Sequence, residues 1–230
     1  MKIVVKGGNF AYLLGGLLAL IILVAIAKEQ GRAGTLWLPF GEPALILLLL
    51  FGIWGLAKGR TLVLLAGAVL AAIGIALALI DYGWGVAELR RANMGIVLTF
   101  SVASTWIAIR SLVVSGSVDL NKIIGAICIY LLVGLDWTFL YLFANLALPG
   151  SFHGLSAGDL RAQFGDLLYY SYVTLTTVGY GDVTPVRPLA RTLAFLEAIA
   201  GQFYVAVLVA WLVGLYLAGK SGNAHGPRAQ

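Results

Sequence analysis

Apolar residues run along this chain in long, nearly unbroken stretches, with polar residues gathered into short breaks between them. The stretches fall at Phe10–Ala27, Ala44–Ala57, Thr61–Ile80, Met94–Val114, Ile123–Leu148 and Leu189–Ala218. A helix needs about 20 apolar residues to cross the hydrocarbon of a bilayer, so the pattern predicts six spans. The second stretch is short. It must borrow flanking residues such as Glu42–Pro43 or Lys58, or else lie tilted or re-entrant. It opens on "GEPA", where proline suits the first helical turn. It closes on "KGR" before the third stretch, which makes the pair a tight helical hairpin.

Composition fixes the solvent. Of 230 residues 61% are hydrophobic and 11% charged, whereas soluble domains carry about 25% charged residues. The expected class is an all-α, multi-spanning membrane protein. A net charge of +5 would suit nucleic acid, but the basic residues are scattered between apolar runs, so nucleic acid is excluded as a partner and membrane lipid is implied. Cys128, alone in the chain, can form no internal disulfide and reads as a small core residue.

The first stretch has features of a secretory signal: Lys2 and Lys6, an apolar centre, and "AIA" before Lys28. Its length favours a retained helix instead. With both termini inside, inner segments hold Lys2, Lys6, Lys58, Arg60, Lys122, Lys220 and Arg228. Outer segments hold Lys28, Arg32, Arg90, Arg91, Arg161, Arg187 and Arg191. This near balance of bases settles little.

The chemistry lies between the last two stretches, in "LPGSFHGLSAGDLRAQFGDLLYYSYVTLTTVGYGDVTP". About eleven residues, Asp166 to Thr176, are helix-compatible and aromatic-rich, too short to cross a bilayer. The segment is therefore expected to dip in and return. Non-helical backbone is tolerated at membrane depth only where protein buries it or it lines a watery path. Gly179 and Gly181 can take positive φ cheaply, which lets successive carbonyls point the same way. Such a column of oxygens is a cage for a dehydrated cation. The helix before it aims its partially negative C-terminal end at the same place.

"TVGYG" (Thr177–Gly181) followed by Asp182 resembles the potassium-channel signature. The resemblance covers Ile123 to about Ala218, and the "LPGSF" turret and last helix are similar to those of small bacterial channels with one pore unit. It implies that the carbonyls of Thr177, Val178, Gly179 and Tyr180, with the Thr177 hydroxyl, replace the hydration shell of K⁺, the permeant ion; no other cofactor is implied. Val178 and Tyr180 would point outward into packing. Asp182 would be hydrogen-bonded behind the filter at its outer mouth. Thr176 and an aromatic wall of Tyr169, Tyr170 and Tyr172 would support it. The family places the filter at the outer face of the plasma membrane, which leaves both termini cytoplasmic. A ring needs four such loops and this chain has one, so a homotetramer is expected.

Aligned on the family's gating glycine, Gly201 lies twenty residues after Gly181 and becomes the candidate hinge, with Gly214 second; close helix packing is the alternative for Gly201. Gln202 then faces the cavity, with Val205 and Val209 below it. Glu197 falls about 140° away at 100° per residue. It is expected to be protonated or hydrogen-bonded against the pore helix, on Thr174 or a tyrosine, with a proton-sensing gate as the alternative. Asp136, mid-span, has no partner legible in the sequence.

A voltage sensor carries arginines at every third position of its fourth helix. Here Arg110 stands alone in "MGIVLTFSVASTWIAIRSLVV", which does not support steep voltage gating. The expected layout is a four-helix region (1–114), a linker (115–122), a pore domain (123–219) and a disordered cytoplasmic tail (220–230). No catalytic set of residues points to an enzyme. Three rivals remain: a weakly selective cation channel, a subunit of a potassium-uptake transporter, and a non-conducting partner of other channel chains. The transporter reading suffers because those systems carry four degenerate pore loops in one chain.

Overall fold

The computed structural model describes residues 10–29, 61–84, 87–114, 120–158 and 160–224. The second apolar stretch, Ala44–Ala57, lies outside these residues, as do most of the expected linker and the last part of the tail. Six helices follow in order: α1 (Phe10–Glu29), α2 (Thr61–Trp84), α3 (Ala87–Val114), α4 (Leu120–Ala147), α5 (Leu160–Leu175) and α6 (Pro188–Ala224). Two-residue strands β1 (Phe152–His153) and β2 (Thr184–Pro185) flank α5 and pair antiparallel. Strands this short leave no periodicity for a sequence reading to find.

Among the described residues, four segments are long and apolar enough to cross a membrane: Phe10–Glu29, Arg91–Leu112, Asn121–Ala147 and Pro188–Trp211. Within α2 the segment Gly67–Asp81 is apolar, overlapping the longer apolar stretch Thr61–Ile80. α1 and α2 begin where the hydrophobic pattern begins, but α3 starts at Ala87 rather than Met94. Glu88 in its first turn suits the positive end of the helix dipole and pairs with Arg91 at 2.5 Å. α6 starts on Pro188, whose missing N–H costs nothing at the first position. It continues to Ala224, beyond the boundary at 219 expected from the fading of the apolar pattern.

α4 is the central helix, packed by α1, α3, α5 and α6. α1 lies parallel to it. Near the start of α4, the Cys128 thiol donates to the Phe10 carbonyl at 3.4 Å, while Lys28 at the far end of α1 reaches Asp166 in α5. Phe10, Leu13, Leu17, Leu20 and Val24 form one buried stripe along α1, at the three- and four-residue spacing that a helix face requires. α1 is thus part of the core. α5 can lie close against α4 because Gly134 has no side chain, and the Tyr172 ring occupies the space a Cβ would need.

α3 joins this group through a polar contact. Asp136 of α4 accepts hydrogen bonds from the Ser101 hydroxyl and, at 2.8 Å, from the Thr105 hydroxyl, both on α3. The acid without a legible partner thus finds two, both from α3. Arg110 places its guanidinium over the Trp106 ring, 5.1 Å from the centroid.

Candidate functional site

The signature residues follow the C-terminal end of α5. That helix is longer than the sequence suggested, beginning at Leu160 instead of Asp166, because Arg161, Gln163 and Gly165 made its first turns read as loop. It ends by a change of backbone hand. Thr177 has φ of 60°, Gly179 58° and Gly181 80°, with Val178 and Tyr180 between them on the ordinary side. Among the described residues Thr177 is the only non-glycine with positive φ. A β-branched residue there is strained, and the surrounding bonds must hold it. The Thr177 N–H donates to the Thr174 carbonyl at 2.9 Å, and the Val178 N–H to the Val173 carbonyl at 2.9 Å. The amides are thus turned back onto α5. With φ alternating in sign, successive carbonyls from Thr177 to Tyr180 can line one side of the segment.

Residues behind this segment support it. The Thr176 hydroxyl donates to the Tyr172 carbonyl at 2.6 Å, and the Tyr172 hydroxyl to the Leu131 carbonyl at 2.8 Å. Tyr130 donates to the Leu175 carbonyl at 3.1 Å, the last residue of α5. Tyr169 stacks parallel to Tyr180, with centroids 6.4 Å apart. Tyr170 points the other way, buried edge-on against Tyr141 and Phe152. The two adjacent tyrosines therefore do different jobs. Val178 and Tyr180 are exposed on the single chain.

Asp182 lies just beyond. A hydrogen bond from the Tyr169 hydroxyl holds its carboxyl below the ordinary carboxylate value. Slight desolvation works the other way, while the backbone N–H groups of Asp182 and Val183 and the charge of Lys28 add to the lowering. A depressed pKa means that this support is present above the ordinary carboxylate value and is lost only as pH falls through the lower, folded one. Lowering the pH should therefore leave the Asp182 carboxylate charged until below the usual carboxylate range. In Tyr169→Phe the transition should move up into that range, read by titrating the Asp182 carboxyl with NMR or by ion flux against external pH. An unmoved transition would show that the Tyr169 hydroxyl does not hold Asp182.

On α6, the Gln202 amide lies 3.5 Å from the Thr177 hydroxyl. The groove below Thr177 is walled by Ala198, Ile199, Gln202, Phe203 and Ala206. Val205 and Val209 are exposed on α6 without being among those walls. Phe203, 67% exposed, was not singled out by the sequence, where it looked like any lipid-facing aromatic. Gly201 is in close contact: a Cβ there would overlap the Leu175 carbonyl, so glycine lets α6 meet the end of α5. Nothing lies within 4 Å of a Cβ built on Gly214.

Glu197 is fully buried. It accepts hydrogen bonds from Tyr141 of α4 and, at 2.5 Å, from Ser171 of α5. Thr174, one of its expected partners, bonds to Tyr170 instead. Ser171 also lies 2.7 Å from the Gly134 carbonyl. A single carboxyl thus joins three helices behind the signature segment.

The turret is fastened to the far side of the same segment. Besides the β1–β2 pair, the Val186 N–H donates to the Ser151 carbonyl at 2.8 Å and Arg187 to the Pro149 carbonyl at 3.1 Å. Gly154, at φ of 85°, lies so close to the Asp182 carbonyl that a Cβ could not fit.

Residues 122–217 match the family described as "Ion channel". Over 85 residues the chain is 34% identical to a protein named two pore potassium channel c from Oryza sativa subsp. japonica, covering 34% of this chain and 19% of that one. It is 37% identical over 75 residues to the inward rectifier potassium channel Kirbac3.1 of Paramagnetospirillum magnetotacticum, covering 30% and 25%. It is 46% identical over 54 residues to Protein LctB of Geobacillus stearothermophilus, covering 24% and 40%. The chain therefore spans less than half the length of each of these relatives. No solved structure matches it significantly. All the residues of the site lie inside the matched segment, which makes up less than half of this chain, and that segment is similar to the ion-channel family and to potassium channels.

Proposed function

We propose that the protein is a passive, potassium-selective channel, with K⁺ held in single file by the carbonyls of Thr177, Val178, Gly179 and Tyr180 and by the Thr177 hydroxyl. The observation that carries this reading is the alternation of backbone hand at Thr177, Gly179 and Gly181, in a segment whose amides are turned back onto α5. Carbonyls in a row can replace a hydration shell without any side-chain charge. One chain supplies one wall of such a cage, so the functional unit is a homotetramer. Apolar Phe195, Ile199, Phe203 and Val207 on α6 are exposed in the single chain, as expected of a helix that packs against other copies.

In this reading α5 and the signature segment re-enter the outer leaflet of the plasma membrane, between the last two of six spans. Both termini are cytoplasmic. Gln202 faces the central cavity, where its amide hydrates the ion in transit beneath Thr177. Gly201 lets α6 pivot against the end of α5, with Gly214 as a second bending point nearer the cytoplasm.

The deciding experiment is the reversal potential of the purified protein in a planar bilayer, with K⁺ on one side and Na⁺ on the other. A large shift towards the potassium equilibrium potential supports the proposal. A robust current reversing near zero would mean a weakly selective cation channel, and no current at all would favour a non-conducting subunit. At the cavity, Gln202→Leu should lower single-channel K⁺ conductance severalfold without moving the reversal potential. Unchanged conductance would remove Gln202 from the ion path.

A further inference from the structure

Asp166 lies in the first half of α5 with its side chain 7% exposed, and both of its oxygens are taken. One pairs with Lys28 at the end of α1. The other accepts the Ser156 N–H of the turret at 2.8 Å. The Lys28 stem runs along Gly165, its Cδ within 3.5 Å of where a Cβ would stand, beside Val24. The ammonium is thus led to the carboxylate over an apolar path. One carboxylate ties together α1, the turret and α5.

This tie differs in origin from the others that position α5. Tyr130, Tyr172 and the Ser171–Glu197 pair hold its C-terminal half, and Asn145 holds Gln163 in its first turns at 2.9 Å. All of those residues lie within the matched segment 122–217, whereas Lys28 lies almost a hundred residues before it. An exposed ion pair contributes little, but this acid is nearly buried. Removing its cation would leave a carboxylate with one partner fewer in a poorly solvated place.

We infer that Lys28 is a positioning residue of the proposed pore: paired with Asp166, it makes α1 a working part of the ion pathway by fixing the first half of α5 and the Ser156 loop in the register that presents Thr177–Gly181. The inference rests on the channel reading for its functional half. Its structural half stands apart, because the Ser156 amide reports directly on the Asp166 carboxylate.

The test uses the full-length protein in liposomes with Lys28→Gln, Lys28→Arg and the exchanged pair Lys28→Asp/Asp166→Lys. Amide hydrogen exchange and K⁺ efflux are measured on the same samples. Lys28→Gln should speed exchange at Ser156 and in the first turns of α5 by at least tenfold, leave α4 unchanged, and cut efflux severalfold. Lys28→Arg should restore both. The exchanged pair should recover at least part of both. Unchanged exchange at Ser156, or a speeding spread evenly over the chain that Lys28→Arg does not reverse, overturns the inference. Local exchange that rises while efflux stays at the wild-type level overturns it too, since the pair would then brace the fold without serving the pathway. A wild-type protein without K⁺ efflux would sink the channel reading instead, and the exchange data would still decide whether Lys28 positions α5.

Discussion

Gly179→Ala should abolish potassium conduction while leaving the helices folded. The glycine sits at φ of 58° with nothing within 4 Å of a Cβ built on it, so the penalty is conformational and not a collision within the chain. An L-residue in the left-handed region costs about 1–2 kcal/mol. In the proposed ring of four chains the penalty recurs four times, and the cheapest relief is to rotate the peptide and carry its carbonyl off the axis. At a factor of ten for each 1.4 kcal/mol, K⁺ flux should fall by more than about a hundredfold. Gly181→Ala, at φ of 80°, should act in the same way. The helix content of either variant by circular dichroism should match that of the parent, since residues 176–182 are exposed and contribute little to the core. Liposome efflux at the parental rate would mean that ions do not pass along these carbonyls.

The parts of this site that the sequence revealed are those written in backbone chemistry. Glycine at 179 and 181 announces positive φ because few other residues adopt it cheaply. Threonine announces nothing of the kind, and the third left-handed residue, Thr177, could not be read from its type. The resemblance supplied its role, while its strained backbone appeared only in the fold. Helix starts were legible where an apolar run meets a polar break, as at Phe10 and Thr61. They were misread where polar residues are helical, as at Ala87 and Leu160. The buried acids were least legible. Asp136 bonds to residues 31 and 35 positions away, and Glu197 to residues 26 and 56 away. Those pairings depend on how helices pack, and the residue types Ser, Thr and Tyr are too common to single out a partner. The helical wheel did place Glu197 away from Gln202, and one is buried while the other is exposed. Periodicity could say which face an acid occupies, though not what meets it there.

The network around Glu197 should matter to stability through its shape and hydrogen count more than through its charge. Ser171 has one hydroxyl proton and two acceptors in reach, the Gly134 carbonyl at 2.7 Å and Glu197 at 2.5 Å. Glutamine can complete the same set: its oxygen accepts from Tyr141 and its NH₂ donates to the Ser171 oxygen, while Ser171 donates to Gly134. Leucine leaves only the Ser171–Gly134 bond of this set in place and strands the Tyr141 hydroxyl without its acceptor, at about 1–3 kcal/mol for a buried group left unsatisfied. Glu197→Leu should therefore lose about 1–3 kcal/mol per chain and unlock α5 from α6, so that K⁺ flux falls along with thermal stability. Glu197→Gln should stay close to the parent in both. Thermal unfolding of the purified protein, followed by near-ultraviolet tyrosine signal, separates the cases. A Glu197→Leu protein as stable as its parent would show that the three helices do not depend on this carboxyl. Comparison of the parent with Glu197→Gln between acid and neutral pH also decides the proton-sensing alternative. Gating that changes with pH in the parent but is flat in Glu197→Gln would make Glu197 a sensor as well as a brace. Identical pH profiles would leave it a brace, its hydrogen bonds serving to hold Ser171, and with it the second half of α5, behind the proposed ion path.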